Sequence, residues 1–115
     1  MDVLARVDEA LEVARRSDHG RHAELLVSDG PLRQSFITLI EGVELPAHNS
    51  PPAASILVLR GEIEIIGTEP DLLTQGALKV LTHVRHSVMA KRDSAFLLTT
   101  VTGIVGTDSH DERKL

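Results

Sequence analysis

Histidine side chains supply the chemistry that this sequence offers. His48 lies in "PAHNSPPAAS", residues 46–55, and His83 and His86 lie three residues apart in a second segment, "THVRHS". Imidazole titrates near neutral pH and is a common metal ligand, so these positions are candidates for acid–base chemistry or for metal binding. The chain has no cysteine, which excludes disulfides, thiolate zinc sites and cysteine nucleophiles.

An amphipathic helix is predicted before any of these histidines. Residues 3–16, "VLARVDEALEVARR", carry most of their charges on one face, with Asp2 placed to cap the N-terminus. Gly20 suits the left-handed turn that ends the helix. The other face is an apolar stripe at helical spacing, which must pack on something: Val3, Val7, Ala10, Leu11 and Ala14.

From residue 23 the chain consists of short apolar runs separated by glycine, proline and aspartate. This pattern is typical of an all-β sandwich or barrel rather than of alternating strands and helices. In "EIEII", residues 62–66, strict alternation predicts that Ile63 and Ile65 face inward while Glu62 and Glu64 face water. The predicted strands are 23–28, 33–40, 54–60, 62–66, 77–81, 86–90 and 95–105.

Composition excludes two classes of function. The chain has 115 residues and a net charge of −5, from 12 basic and 17 acidic residues without a basic stripe. Phe36 and Phe96 are the only aromatic side chains, so a nucleic-acid surface of phosphate-binding cations and stacking rings is not expected. No stretch approaches the eighteen or so apolar residues of a membrane span, and we expect a cytoplasmic protein.

The segment "GVELPAHNSPPAASILVLRGEIEI", residues 42–65, resembles the first conserved motif of the cupins. That motif reads glycine, five residues, His-x-His, three or four residues, glutamate, six residues and glycine; Gly42, His48 and Gly61 match it. His86 is similarly placed to the late histidine of the second motif. The resemblance covers about residues 32–101 and implies a double-stranded β-helix barrel of the jelly-roll type. We expect a helix and turn in 1–20, the cupin barrel in 21–104 and a polar tail in 105–115.

The resemblance also implies a metal site, but the ligands are incomplete. Cupins hold their metal with both histidines of His-x-His, the glutamate and the late histidine, whereas this chain has Ser50 and Ala54 at two of those positions. A catalytic metal generally needs at least three protein ligands and an open position. We therefore expect no metal; the alternative is an iron, manganese, nickel or zinc centre built from His48, His86 and His83.

The losses at Ser50 and Ala54 should leave space inside the barrel. A small-molecule pocket is predicted there, since a mostly apolar cavity with a few polar groups is the usual shape of such a site. Arg60 and Arg85 are candidates for contacting an anionic ligand, with Arg85 the better placed at the rim. The predicted pocket residues follow from the two motifs and from period-two alternation: His48, Ser50, Ala54, Ile56, Val58, His86 and Val88.

Three functions remain open from the sequence. The first is a metal-free cupin of unassigned reaction that binds a small molecule. The second is a metal-dependent oxygenase or isomerase with a divergent histidine centre. The third is a structural domain kept for its dimer interface, which the stripe at Val3, Val7 and Leu11 and the open sheet edges of a small barrel would support. A homodimer is expected from the resemblance.

Overall fold

The computed structural model describes residues 1–48, 53–81 and 85–102, with residues 47 and 48 described by their backbone. A 3-10 turn, Leu4–Arg6, leads into helix α1, Val7–Arg16, so the helix is tighter in its first turn than the spacing predicts. The Asp2 carboxylate accepts the backbone N–H of Ala5 at 3.2 Å, so Asp2 caps the 3-10 turn, while α1 itself begins after Arg6. Gly20 has a φ of 67° in the turn into the first strand, the left-handed conformation predicted for it.

In the part of the chain that the structure describes, nine strands follow the helix, and seven of them coincide with the predicted runs. The two additional strands are Glu44–His48, which contains Pro46, and the short Asp71–Thr74; neither shows a clear alternation of apolar residues in the sequence. The strands are β1 Arg21–Asp29, β2 Leu32–Leu39, β3 Glu44–His48, β4 Ala53–Arg60, β5 Glu62–Ile66, β6 Asp71–Thr74, β7 Leu78–Leu81, β8 His86–Ala90 and β9 Ser94–Val101.

The strands form two antiparallel sheets that face each other. The first sheet has the order β1-β2-β9-β4-β7 and the second has the order β3-β8-β5-β6. Their inner faces enclose one core cluster: Ile37, Leu39, Ile56, Val58, Ile63, Ile65, Leu73, Val88, Ala90 and Phe96. Ile63 and Ile65 point into this core as alternation predicts, and Glu62 and Glu64 lie half-buried on the other face of β5.

Helix α1 packs on the outer face of the first sheet and forms a second core. Val7, Ala10 and Leu11 are buried there against Phe36 of β2 and Ala95 of β9. The hydroxyl of Thr38 donates to the carbonyl of Ala10 at 3.3 Å, which ties the helix to β2. The apolar stripe is therefore covered by the chain's own barrel. Its proposed part in a dimer interface was wrong, because burial within one chain leaves it unavailable to a second.

Charged side chains hold the helix at both of its ends. Near the start, Arg6 pairs with Glu24 of β1 at 3.2 Å, and Arg60 pairs with Asp8. Near the end, Arg15 pairs at 2.8 Å with Asp93, in the turn between β8 and β9.

Asp93 joins that turn to a second one. Its other oxygen accepts the backbone N–H of Glu41 at 2.9 Å. That hydrogen bond, together with the one from Arg15, lowers the pKa of Asp93 below its usual value. One carboxylate thus fastens two turns and the helix at this end of the barrel.

Candidate functional site

The histidines of the cupin-like motifs lie at one end of the barrel. Strand β3 ends at His48, β8 begins at His86, and β4 begins at Ala53 beside the end of β9. We call this end the mouth and define it by the positions of His48, Ala54, His86 and Thr100. Asp93 follows the far end of β8, so it lies at the opposite end of the barrel from the mouth.

A bulge in β3 brings the two histidine positions together. Leu45 is the partner of Val88, but three residues later His48 is the partner of His86, only two residues away on β8. One extra residue therefore lies in β3 between these pairs, at Pro46 or Ala47. Proline has no backbone N–H to donate to a ladder and is commonly found at such bulges. Without the extra residue, position 47 would oppose His86, and position 48 would lie on the other face of the sheet.

The imidazole of His86 is on the inner face of the second sheet. His86 alternates with Val88 and Ala90, both of which belong to the inner core, and is itself half-buried. On the side away from His48, the ring lies against Gly67, directly after β5. A Cβ added to Gly67 would stand 2.6 Å from Cδ2 and 2.9 Å from Nε2 of that ring. The absence of a side chain at residue 67 thus leaves room for the Nε2 edge of His86.

The first sheet forms the opposite wall of the mouth. Arg33 of β2 is the partner of Thr100 of β9, and Thr100 is in turn the partner of Ala54 of β4. Ala54 is 9% exposed and Thr100 is 5% exposed. Position 54, which carries a glutamate in the cupin motif, is an alanine here. Its methyl group is enclosed between Thr100 of β9 and Leu81 of β7.

Three predicted pocket residues form the floor below these groups. Ile56, Val58 and Val88 all belong to the core between the sheets, in the inward orientation that alternation predicts. Ile56 and Val58 are almost fully buried, as is Val88. Their lining of a ligand cavity stays a prediction.

Ser50 and His83 lie outside the described residues, and for His48 only the backbone position is described. Within the described part of the chain, no group of three histidine or carboxylate side chains is placed to hold a metal ion. The described residues alone therefore do not fit a three-ligand metal centre. Glu44, the acid nearest to His48 in sequence, is exposed and is the partner of Met89, outside the inner row that contains His86.

The two arginines considered for an anionic ligand differ in position. Arg60 lies at the far end of β4 and pairs with Asp8, away from the mouth. Arg85 is exposed and directly precedes His86 at the mouth.

Two residues of the mouth, Gly67 and Arg33, are missed by sequence reasoning. Gly67 carries no recognisable signal, because its contact with His86 arises from the pairing of β5 with β8. For Arg33 the sequence does carry a signal. Alternate residues of a strand share one face, and position 33 alternates with Ile37 and Leu39 of the inner face. The run "SFITLI" hides this parity, since Phe36 and Thr38 are also buried, beneath helix α1.

Comparison with known proteins agrees with this architecture. No protein-family model matches the chain, and no curated protein sequence matches it. Among solved structures, a conserved protein of unknown function from Streptococcus pyogenes is 24% identical, with a TM-score of 0.69, over 77% of this chain and 80% of that one. An RmlC-like cupin from Desulfovibrio desulfuricans is 29% identical, with a TM-score of 0.64, over 70% of this chain and 81% of that one.

One similar structure is an enzyme. A salicylate 1,2-dioxygenase from Pseudaminobacter salicylatoxidans is 18% identical, with a TM-score of 0.72, over 84% of this chain. The match spans 33% of that enzyme, so this likeness concerns the fold of one part of it.

Across residues 1–48, 53–81 and 85–102, no helix has the length and apolar character of a membrane span. The two facing antiparallel sheets, the paired histidine positions and these similar structures agree: the chain folds as a small cupin domain of the RmlC-like jelly-roll type.

Proposed function

We propose that this cupin domain binds a small organic molecule at its mouth without a metal, with His86 as a polar anchor. The observation that supports the proposal is the register of β3 and β8, which makes the positions of His48 and His86 cross-strand partners. Cross-strand partners are neighbours on one face of a sheet, and here that face is the inner one. The backbone positions of two histidines from different strands are thereby neighbours, which supports the proposal.

The surroundings of His86 suit an organic ligand. Small-molecule sites are usually apolar concavities with a few placed polar groups. Here the floor is apolar, through Ile56 and Val88, and the walls carry His86 and Thr100. Alanine at position 54 is smaller than the glutamate that the cupin motif has there, which supports a site for an uncharged or anionic organic group. A ligand at this place would bury apolar surface below and hydrogen-bond to His86 above.

A divergent metal enzyme is the second candidate, and the same pairing of His48 with His86 favours it. Its difficulty is the number of donors. Two neutral imidazoles provide neither a third ligand nor a compensating negative charge, and Ala54 provides no donor atom. For this reason no reaction step is assigned to a metal here.

Metal content and bound ligand should be measured on the same purified, tag-free protein. We expect less than about a tenth of an equivalent of iron, manganese, nickel or zinc by plasma mass spectrometry, since structural and catalytic sites bind close to one equivalent. We also expect native mass spectrometry or NMR screening of organic fragments to find ligands that shift the resonances of His86 and Thr100. His86→Ala should abolish these shifts, while His22→Ala, on β1 beneath the helix, should leave them unchanged.

Each alternative result has a clear meaning. Close to one equivalent of metal that is lost in His86→Ala would overturn the metal-free proposal and support the enzyme. A protein that takes up neither metal nor any organic fragment at the mouth would leave the barrel as a structural domain.

We also propose that two copies associate through β7. This strand is the edge of the first sheet, and it exposes 67% of Leu78 and 72% of Val80. An exposed apolar edge strand tends to pair with another chain. Pairing with a second copy about a two-fold axis would cover the same residues on both copies.

A further inference from the structure

We infer that the ligand of the mouth is an organic anion, and that Arg33 recognises its carboxylate or a similarly charged group. The inference rests on the proposed binding function and adds the chemical class of the ligand. Among the described residues, the cross-strand row that contains Thr100 and Ala54 has Arg33 as its one basic side chain, with Ser28 and Leu81 at its two ends.

The position of Arg33 follows from an unbroken register. Strands β2 and β9 pair without a shift from Leu32 to Leu39, so residues 33, 35, 37 and 39 share one face. Ile37 and Leu39 belong to the core between the sheets, which identifies that face as the inner one. Arg33 is half-buried on it, two strands from Ala54, which corresponds to about 10 Å between the backbones.

The guanidinium of Arg33 is held in place but is not neutralised. Its Nη1 donates to the carbonyls of Gly30 and Leu32, the latter at 3.0 Å, at the turn between β1 and β2. No carboxylate in the described part of the chain forms an ion pair with it, whereas Arg6, Arg15 and Arg60 all have such partners. Both hydrogen bonds of Arg33 are donated by Nη1. Its Nε and Nη2 atoms donate no hydrogen bond to any described residue.

The charge at the mouth of this barrel therefore differs from the charge that the residues of the cupin motif would give it. The motif places a glutamate at position 54, and here the residue is alanine. With that negative charge removed, Arg33 is left as a partly buried positive charge on the inner face of the first sheet, in the same cross-strand row as Ala54. A partly buried charge is costly unless it is paired, and a bidentate carboxylate is the partner that the planar guanidinium fits best.

Matched acids and amides test the inference. Benzoate with benzamide, and propionate with propionamide, have nearly the same shape within each pair but differ in charge. We expect at least one acid to bind at the mouth about tenfold more tightly than its amide, as one charge-assisted hydrogen bond allows. The measurement is a two-dimensional NMR titration that follows the resonances of Thr100 and His86.

Variants assign that preference to Arg33. Arg33→Gln should remove the preference for the acid and leave amide binding unchanged, while Arg33→Lys should retain part of it. Arg16→Gln, on the exposed face of helix α1, is the matched control and should behave as the wild type. Because Arg33 also bonds to the turn carbonyls, thermal unfolding of each variant is recorded. Should Arg33→Gln fail to fold, weakening of acid but not amide binding by added salt provides the second readout.

The outcomes separate this inference from the proposed function. Acids and amides that bind equally well at the mouth, or a preference that survives in Arg33→Gln, would overturn the anion inference and leave the binding site intact. Failure of every acid and amide to bind at the mouth would overturn the anion inference, and the fragment screen would then decide the fate of the binding proposal.

Discussion

His86 is the residue whose surroundings say most about the site. It lies between the position of His48 on β3 and the α-carbon of Gly67 beyond β5, so both of its lateral neighbours come from other strands. The Nε2 atom, through which histidine often binds a proton or ligand, is on the side of the ring that Gly67 leaves open. Gly67, which lies outside the cupin motif, thus contributes to the site because it has no side chain that would displace the ring of His86.

Gly67→Ala should displace the His86 ring. The new methyl group would stand within 2.9 Å of Nε2, and overpacking of this kind typically costs about 1–3 kcal/mol of unfolding free energy. The φ of Gly67 lies outside the left-handed region, so backbone strain does not add to this cost. Urea unfolding measures the loss, and the imidazole NMR signals of His86 should shift with it.

A double-mutant cycle isolates the contact. With His86→Ala in the background, the obstructing ring is absent, and Gly67→Ala should cost little or slightly stabilise the chain. Equal costs in the two backgrounds would show that Gly67 and His86 do not interact.

At the scale of secondary-structure elements, helix α1 covers part of the outer face of the first sheet. Its buried residues meet Phe36 and Ala95 on the outer face of the first sheet, and ion pairs to Glu24 and Asp93 fasten its two ends. Exposed ion pairs contribute little, so most of the docking energy comes from the apolar contact. The helix thereby shields Phe36, which the outer face of the sheet would otherwise expose to water.

Leu11→Ala should destabilise the protein by about 2–4 kcal/mol, because it removes a side chain that is 4% exposed and leaves a cavity under the helix. Leu4→Ala is the matched control, since Leu4 is 61% exposed and its truncation should cost less than about 0.5 kcal/mol. Both values come from urea unfolding curves. Equal effects at the two positions would mean that the helix is not docked on the sheet as described.

As a whole molecule, the barrel has two distinct ends, and among its edge strands β7 exposes two large apolar side chains. At the end that carries Asp93, a hydrogen bond joins two turns, while at the mouth His86, Thr100 and Arg33 lie above an apolar floor. The edge strand β7 exposes Leu78 and Val80 and ends at Leu81, the partner of Ala54 at the mouth.

Val80→Lys should convert the proposed dimer into a monomer without unfolding it, since a lysine directly in a two-fold interface repels its counterpart and Val80 is not part of the core. Leu72→Lys, on the edge strand β6 of the second sheet, is the matched control and should stay dimeric. Sedimentation velocity over a range of concentrations measures both. A wild-type chain that is monomeric throughout this range would remove the dimer proposal.

Much of the fold was predictable from the sequence, because the signals are local. Alternation in "EIEII", glycine and aspartate between short apolar runs, and the stripe of the helix each depend on residues that are close together in the chain. These signals predicted seven strands, the helix and the inward side of Ile63 and Ile65. They failed for β3 and β6, where proline and short length obscure the period.

The site was predictable only in part, because its geometry depends on pairing between distant segments. The sequence by itself determined a cupin barrel with histidines at positions 48 and 86 and without the motif's second histidine and glutamate, since those are matters of residue identity and spacing. Tertiary structure decided that a single extra residue in β3 aligns position 48 with His86, that Gly67 borders the ring, and that Arg33 lies in one cross-strand row with Thr100. Strand register and the stacking of two sheets set these relations, and both are chosen by the packing of the whole core.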